Sequence, residues 1–133
     1  MMLRSPVHEP ELDADLILTR AVLRAADLLE LTQDDLAAIL GTSPASISRM
    51  VSGKRRIERA ERGGQNGKEF ELACLFLRGF RSLDAIVGGD SKKSRAWLVS
   101  ENRHLGDKPL TLLKTIPGIA HVADYLDAMR GKG

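Results

Sequence analysis

The sequence has few aromatic residues, one cysteine and three widely separated histidines. Aromatic side chains make up 4% of the 133 residues, so a core must be built from Leu, Ile, Val and Ala, which favours helix packing over a β-sandwich. A single cysteine cannot form an internal disulfide, and His8, His104 and His121 lack the spacing of metal ligands. Cys74 lies in an apolar run and is predicted to be a small buried side chain. The composition therefore predicts a helical interior that holds no metal or cofactor.

Long apolar runs and catalytic patterns are also missing. The longest apolar run, residues 72–77, is far too short to cross a bilayer. The first ten residues carry prolines and acids without an apolar signal core, so we expect the protein in the cytoplasm and away from membranes. The sequence shows no nucleophile–base signature, and Asp34 and Asp35 are explained better by helix-dipole stabilisation than by paired catalysis. These features argue against an enzyme.

Charge is nearly balanced overall but uneven along the chain. Lys and Arg number 20 against 18 Asp and Glu, which gives a net charge of +2. Between residues 49 and 62 the balance is strongly basic, and a local basic cluster is what a phosphate-binding face needs. The cluster consists of Arg49, Lys54, Arg55, Arg56, Arg59 and Arg62, against Glu58 and Glu61.

Apolar residues recur at helical spacing and nowhere alternate as in a strand. Leu18, Val22, Ala25 and Leu29 step by four, three and four, which predicts a helix over about residues 11–31. The same periodicity returns after residue 67. We therefore predict an all-α chain.

The segment that follows carries start and stop signals for two short helices. Thr32 is predicted to cap the first through its hydroxyl, and Asp35 stands at the reciprocal position of a capping box. Gly41 suits the left-handed conformation that ends a helix. Ser43 followed by Pro44 is a second start signal. Two helices joined by a tight turn are predicted, the second running to about residue 51.

This helix pair has the features of a DNA-reading helix-turn-helix. Ala37 is small where the helices cross, and Ile47 is placed to pack back onto the first helix. The first turns of the second helix would lie in the major groove. There Arg49 would pair with guanine or phosphate, Ser46 with a base edge, and Ala45 with a thymine methyl. The predicted DNA-binding residues are Gln33, Pro44, Ala45, Ser46, Ser48, Arg49, Lys54, Arg55 and Arg56.

For a bare capped helix pair, the alternative is an αα-hairpin with a solvated basic face. The capping box, turn glycine, Ser-Pro start and adjoining basic run together favour DNA binding. The pattern resembles the Xre/Cro family of phage-repressor-type regulators over about residues 18–57. The residues that carry it are Thr32-Gln33-Asp34-Asp35-Leu36-Ala37, Leu40-Gly41, Ser46-Ile47-Ser48-Arg49 and Gly53-Lys54-Arg55.

A second motif occupies the last third of the chain, over about residues 83–133. Its residues are Ala96-Trp97-Leu98, Asn102, Leu105-Gly106, Pro109-Leu110, Leu113, Thr115, Gly118, Val122 and Leu126. This motif resembles the toxin-binding domain shared by the Xre, MbcA and ParS antitoxins. In that family, an Xre-type helix-turn-helix joined to this domain is usually encoded beside a RES-domain toxin that consumes NAD. The resemblance implies such a toxin and operator DNA as partners.

Most residues of the second motif are explained by core packing, so toxin contacts are expected on exposed polar positions and at the C-terminal end. That end is basic, and a pocket that binds a dinucleotide carries groups that a basic tail can engage. A frayed, solvated terminus is the equal alternative. The predicted toxin-binding residues are Arg130, Gly131, Lys132 and Gly133.

The glycine-containing stretch over residues 54–67 is the predicted internal boundary. Residues 1–62 are predicted to form an N-terminal arm and the helix-turn-helix. Residues 68–133 are predicted to form the helical dimerisation and toxin-binding domain, with a break at residues 116–118 before the last helix. We expect a homodimer, sealed by apolar surface between residues 70 and 98.

Two other functions remain open from the sequence. One is a stand-alone Xre-family transcriptional repressor whose C-terminal half only dimerises. The other is an interaction module whose helix-turn-helix has lost DNA binding. The identity of the neighbouring gene product would separate the antitoxin from the stand-alone repressor.

Overall fold

The computed structural model describes residues 13–59 and 67–132, and within these ranges the secondary structure is helical apart from one isolated bridge between Asn102 and Asp107. The predicted all-α class is confirmed. No helix in these ranges is long and apolar enough to cross a membrane. The helices are α1 (Ala14–Leu28), α2 (Gln33–Leu40), α3 (Pro44–Val51), α4 (Lys68–Ile86), α5 (Ser91–Val99), α6 (Pro109–Leu113) and α7 (Ile116–Gly131).

The ends of α2 and α3 follow the local signals in the sequence. Thr32 Oγ1 accepts a hydrogen bond from the Asp35 backbone N–H at 3.0 Å, and Asp35 Oδ2 accepts one from the Thr32 N–H at 3.3 Å. Gly41 ends α2 with a φ of +70°, which a residue with a side chain adopts only at a cost. Ser43 caps α3, and Pro44 occupies its first turn. The predicted helix-turn-helix geometry is therefore confirmed.

Helix α4 is the centre of the molecule. It packs along α7 on one side and against α1 and α2 on the other. Buried side chains from α1 to α7 form a single apolar cluster around it. The division of the chain into residues 1–62 and 68–133 stays a prediction.

Two polar contacts join the C-terminal helices to the helix-turn-helix. Arg95 of α5 donates from Nη1 to the carbonyl oxygens of Leu29 and Glu30, at 3.0 and 3.2 Å. These carbonyls follow the end of α1, where backbone acceptors lack helical partners. Lys114, after α6, donates from Nζ to Asp35 Oδ1 at 2.9 Å. The two halves of the chain therefore contact each other through both apolar and polar groups.

The predicted break at residues 116–118 is wrong, because these residues form the first turn of α7. Thr115 caps this helix, and its Oγ1 accepts a hydrogen bond from the Gly118 N–H at 3.0 Å. Pro117 is tolerated because first-turn N–H groups have no partner within the helix. The interruption is thus the short turn between α6 and α7.

The prediction of a buried Cys74 is also wrong, because its side chain is exposed. The neighbouring Leu72, Ala73, Phe76 and Leu77 point into the core, and Cys74 falls on the opposite side of α4. The apolar run therefore contains one position that helical geometry turns outward.

Candidate interaction surfaces

Helix α3 has a sharply divided surface. Ile47 and Met50 are buried, at 1% and 3% exposure, and they hold α3 against the helices beneath it. The opposite face is exposed and consists of small or polar residues with a single cation, Arg49. A face of this kind lets a helix approach base edges closely. The predicted DNA-binding residues exposed on this helix are Pro44, Ala45, Ser48 and Arg49.

The prediction that Ser46 faces a DNA groove is wrong. Its side chain is buried, and its backbone N–H donates to Ser43 Oγ at 3.1 Å. Ser43 Oγ also lies 3.1 Å from Ser46 Oγ. Ser46 therefore belongs to the cap of α3, and the hydroxyl on the outer face is that of Ser48.

The basic loop after α3 is anchored to α1. Ile57 is fully buried, and its backbone N–H donates to Thr19 Oγ1 at 2.8 Å. The Thr19 hydroxyl in turn donates to the Asp15 carbonyl oxygen at 2.7 Å. Nearby, the Arg59 N–H donates to Asp15 Oδ1 at 3.2 Å. A lone aliphatic residue within a basic run indicates burial of Ile57, but its partner Thr19 lies 38 residues away and could not be predicted from the sequence.

Two arginines of this loop are already paired with acids of the chain. Arg55 Nη2 donates to Glu69 Oε2 at 3.0 Å, and Arg56 forms an ion pair with Asp13. Their positive charge is therefore partly balanced within the protein. Lys54 is exposed beside them, as is Gln33 at the start of α2. The nine predicted DNA-binding residues thus fall into three groups. Ser46 is buried, Arg55 and Arg56 are paired with acids of the chain, and the remaining six are exposed.

Electrostatics around the start of α2 favour a charged Asp35. Burial raises the pKa of Asp35, but hydrogen bonds from Lys114 and from Thr32 outweigh burial and hold the pKa below its usual 3.8. The carboxylate therefore serves the capping box and the contact with Lys114 together. This contact fixes the first turn of the helix that carries Gln33.

In the C-terminal half, the residues of the second motif form the interior and the turns. Leu98, Leu113, Val122 and Leu126 are buried, as predicted from core packing. At Gly118, an added Cβ would lie 2.0 Å from the Leu112 carbonyl oxygen, so a glycine is needed where α6 approaches α7.

An aromatic stack lies beside this interior. Trp97 is half-buried and stacks on Tyr125, with ring centroids 6.5 Å apart and planes inclined by 14°. The exposed His104 also stacks on Tyr125, with ring centroids 6.1 Å apart. Tyr125 is absent from the motif that carries the resemblance, so no signal in the sequence pointed to it.

The C-terminal end is more ordered than a free tail. Helix α7 continues to Gly131, so Arg130 and Gly131 belong to its last turn, and Lys132 is its C-cap. The expectation of a four-residue tail is therefore wrong for Arg130 and Gly131, while Gly133 lies outside the described residues. All three described residues are exposed. Their predicted contact with a toxin stays a prediction.

No group of three or more His, Cys, Asp or Glu residues is placed to hold a metal ion in the described ranges.

On α7, hydrogen bonds from Ser82 and Arg78 lower the pKa of Asp127, which keeps this carboxylate charged. Arg78 also pairs with Asp124, so α4 and α7 are joined by ion pairs as well as by apolar contacts.

Comparisons with known proteins identify both halves. The model of the antitoxin Xre-like helix-turn-helix domain matches residues 10–78, and that of the antitoxin Xre/MbcA/ParS C-terminal toxin-binding domain matches residues 82–132. Among solved structures, a chain from the crystal structure of the M. tuberculosis MbcT–MbcA toxin–antitoxin complex has the same fold, with a TM-score of 0.62 and 22% identity. The match covers 87% of this chain and 96% of that chain. A search of curated protein sequences found no match.

The helix-turn-helix model alone covers more than half of the chain, and the toxin-binding model covers most of the remainder in the order that the sequence motifs predict. The chain belongs to the Xre/MbcA/ParS-type antitoxins, with a DNA-binding helix-turn-helix followed by a C-terminal toxin-binding domain.

Proposed function

We propose that this chain binds and inhibits a cognate RES-type toxin that consumes NAD, and that it represses its own operon through the helix-turn-helix. The observation that carries the proposal is the presence of both family domains in one chain. The RES assignment rests on the resemblance of the whole arrangement to antitoxins encoded beside such toxins. The proposed partners are therefore this toxin and the operator DNA.

Operator binding is supported by the surface of α3. Arg49 and Ala45 are exposed on this helix, where Arg49 would pair with a guanine or a phosphate and Ala45 would contact a thymine methyl. Gln33 and Lys54 flank the helix and supply backbone contacts that set its register. One such module covers a single half-site, so we propose that the chain binds as a symmetric dimer to two half-sites about one helical turn apart.

Toxin inhibition is supported by the C-terminal end of α7. Arg130 and Lys132 place two cations on or beside the last helical turn, and both side chains are exposed. A pocket that recognises a dinucleotide offers acceptors or acids that such cations can engage through charge-assisted hydrogen bonds. We propose that the last turn of α7, with Lys132 and Gly133, closes the toxin's pocket.

Co-expression with the product of the adjacent reading frame tests this function. We expect the full chain to restore growth, preserve cellular NAD and co-purify with that product. A truncated chain that ends at Met129 should still fold and co-purify, because it keeps the core residue Leu126, but it should no longer protect NAD. If the full chain neither co-purifies nor restores growth, the proposed antitoxin function is contradicted, and the alternative function of a stand-alone repressor is favoured.

A further inference from the structure

Helix α7 has three faces with different surroundings. Its core face is buried under α4 and α6, and its acidic face is tied to α4 through Arg78 and Ser82. The residues of a third face recur every three or four positions and therefore lie on one side of the helix, where most of them are exposed. We call this third face the outer stripe. It consists of His121, Tyr125, Ala128, Met129 and Lys132.

The outer stripe carries exposed apolar surface. Met129 is 42% exposed, although most large apolar side chains of the described residues are buried. Ala128 beside it is exposed, and Tyr125 is half-buried. The stripe therefore offers an apolar centre with His121 and Lys132 at its two ends, which is the pattern of an apolar interface core with a polar rim.

The aromatic stack widens this surface and makes it rigid. Trp97 comes from α5, His104 from the turn before α6, and both contact the ring of Tyr125. Since packing already holds the Trp97 and Tyr125 rings in the free protein, a partner that covers them loses little side-chain freedom. Aromatic side chains held in this way are favoured as binding hot spots.

The position of the stripe indicates which partner covers it. All seven residues of the stripe and the stack lie within the matched toxin-binding domain, residues 82–132. The stripe also leads directly to Lys132, next to the helix end that closes the toxin's pocket in the proposed function. DNA is disfavoured as the occupant, because Lys132 is the one residue of the stripe with a fixed positive charge and Asp124 lies on the adjoining face.

We propose that the RES-type toxin docks on the outer stripe of α7 and on the stacked rings of Trp97, Tyr125 and His104. Docking on this surface aligns α7 so that its last turn points into the toxin's pocket. The inference rests on the proposed function and adds to it the surface that provides affinity. Binding and blocking are then carried by different parts of one surface. The stripe up to Met129 holds the toxin, and Lys132 belongs both to the stripe and to the helix end that closes the pocket.

The test compares two substitutions at equally exposed apolar positions of the same domain. Met129→Glu places a charge on the stripe, and Ile86→Glu places one at the end of α4, where the side chain is 43% exposed. The affinity of each full-length variant for the purified product of the adjacent reading frame is measured by calorimetry. We expect Met129→Glu to weaken binding by about tenfold or more, as for a hot-spot position, and Ile86→Glu by less than about twofold.

A second variant, Ala128→Arg, keeps the test decisive if Met129→Glu changes the fold. Ala128 is exposed, so the larger side chain removes no packing, yet it obstructs a docked partner. Equal toxin affinity for wild type, Ala128→Arg and Met129→Glu would overturn the docking surface. Loss of self-association with unchanged toxin affinity would assign the stripe to a second copy instead, and so also overturn it. Absence of toxin binding by the wild type would contradict the proposed function itself.

Discussion

The N-terminal helices α1 to α3 and the C-terminal helices α5 to α7 differ in what their sequence motifs specify. In the N-terminal half, the motif names both the caps that shape α3 and the exposed residues, such as Arg49, that α3 presents. In the C-terminal half, the motif names Leu98 and Gly118, which build the interior and the turns. The motif of the N-terminal half therefore indicates a candidate contact surface, whereas the motif of the C-terminal half indicates mainly the interior and the turns.

The two halves also differ in how their cations are arranged. Arg55 and Arg56 of the N-terminal half are paired with Glu69 and Asp13. Lys132 at the end of α7 is exposed and stands on a helix whose acids, Asp124 and Asp127, are engaged by Arg78. We infer that the loop arginines mainly fix the conformation of the loop, whereas the cations at the end of α7 are available to a partner.

The largest expected effect is a loss of stability at the turn between α6 and α7, which distinguishes residues that build the C-terminal half from residues on its surface. Gly118→Ala brings a Cβ against the Leu112 carbonyl oxygen and should lower the free energy of unfolding by about 3 kcal/mol, the upper end for overpacking, because the obstacle is backbone. Urea unfolding followed by circular dichroism measures the loss. Gly131→Ala is the matched control, since nothing lies within 4 Å of its added Cβ. Equal stability of the two variants would show that the turn between α6 and α7 adapts freely.

A smaller effect is expected at the DNA surface. Arg49→Ala should weaken operator binding by about 1–3 kcal/mol if Arg49 reads a base. Arg56→Ala should weaken binding less, because its charge is shared with Asp13. Operator affinity measured by fluorescence anisotropy over a range of salt concentrations distinguishes the two, since each phosphate contact that is lost lowers the salt dependence. An equal loss of affinity and salt dependence for both variants would mean that DNA displaces Asp13 from Arg56.

The smallest expected effect is a pH dependence at the contact between the halves. Because the pKa of Asp35 is lowered in the folded protein, its contribution to stability is complete above its usual value of 3.8 and is lost as the pH falls through the lowered folded value. Asp35→Asn should therefore reduce stability at neutral pH and flatten the fall in stability towards acid pH. Thermal unfolding midpoints between neutral and acid pH measure this slope. Asp34→Asn, on the same helical turn, serves as the control, and an identical slope for both variants would contradict the role of the Lys114 contact.

The sequence predicted the helices and the helix-turn-helix well because their determinants are local. The capping box of Thr32 and Asp35, the turn at Gly41 and the Ser43-Pro44 start are each set by neighbouring residues. Two of the errors have a different cause. Ser46 and Cys74 were misplaced because short polar and small residues are compatible with either side of a helix, and tertiary packing decides which side is buried.

Contacts between distant parts of the chain were beyond sequence reasoning. The pairing of Arg55 with Glu69 and the anchoring of Ile57 on Thr19 join residues of different elements. The stack of Trp97, Tyr125 and His104 likewise depends on how α5 and α7 cross. These contacts decide which charged and aromatic groups remain free for a partner, so the candidate surfaces became visible only with the fold.

The most direct test of separate DNA-binding and toxin-binding surfaces is the affinity of Arg49→Ala and Met129→Glu for both partners under one set of conditions. The partners are the operon's own promoter duplex and the purified product of the adjacent reading frame. We expect Arg49→Ala to lose affinity for the promoter while keeping wild-type affinity for the toxin, and Met129→Glu to show the reverse. A wild-type chain that binds the promoter but not the product of the adjacent reading frame would contradict the antitoxin function, and variants that each lose both partners would contradict separate surfaces on α3 and α7.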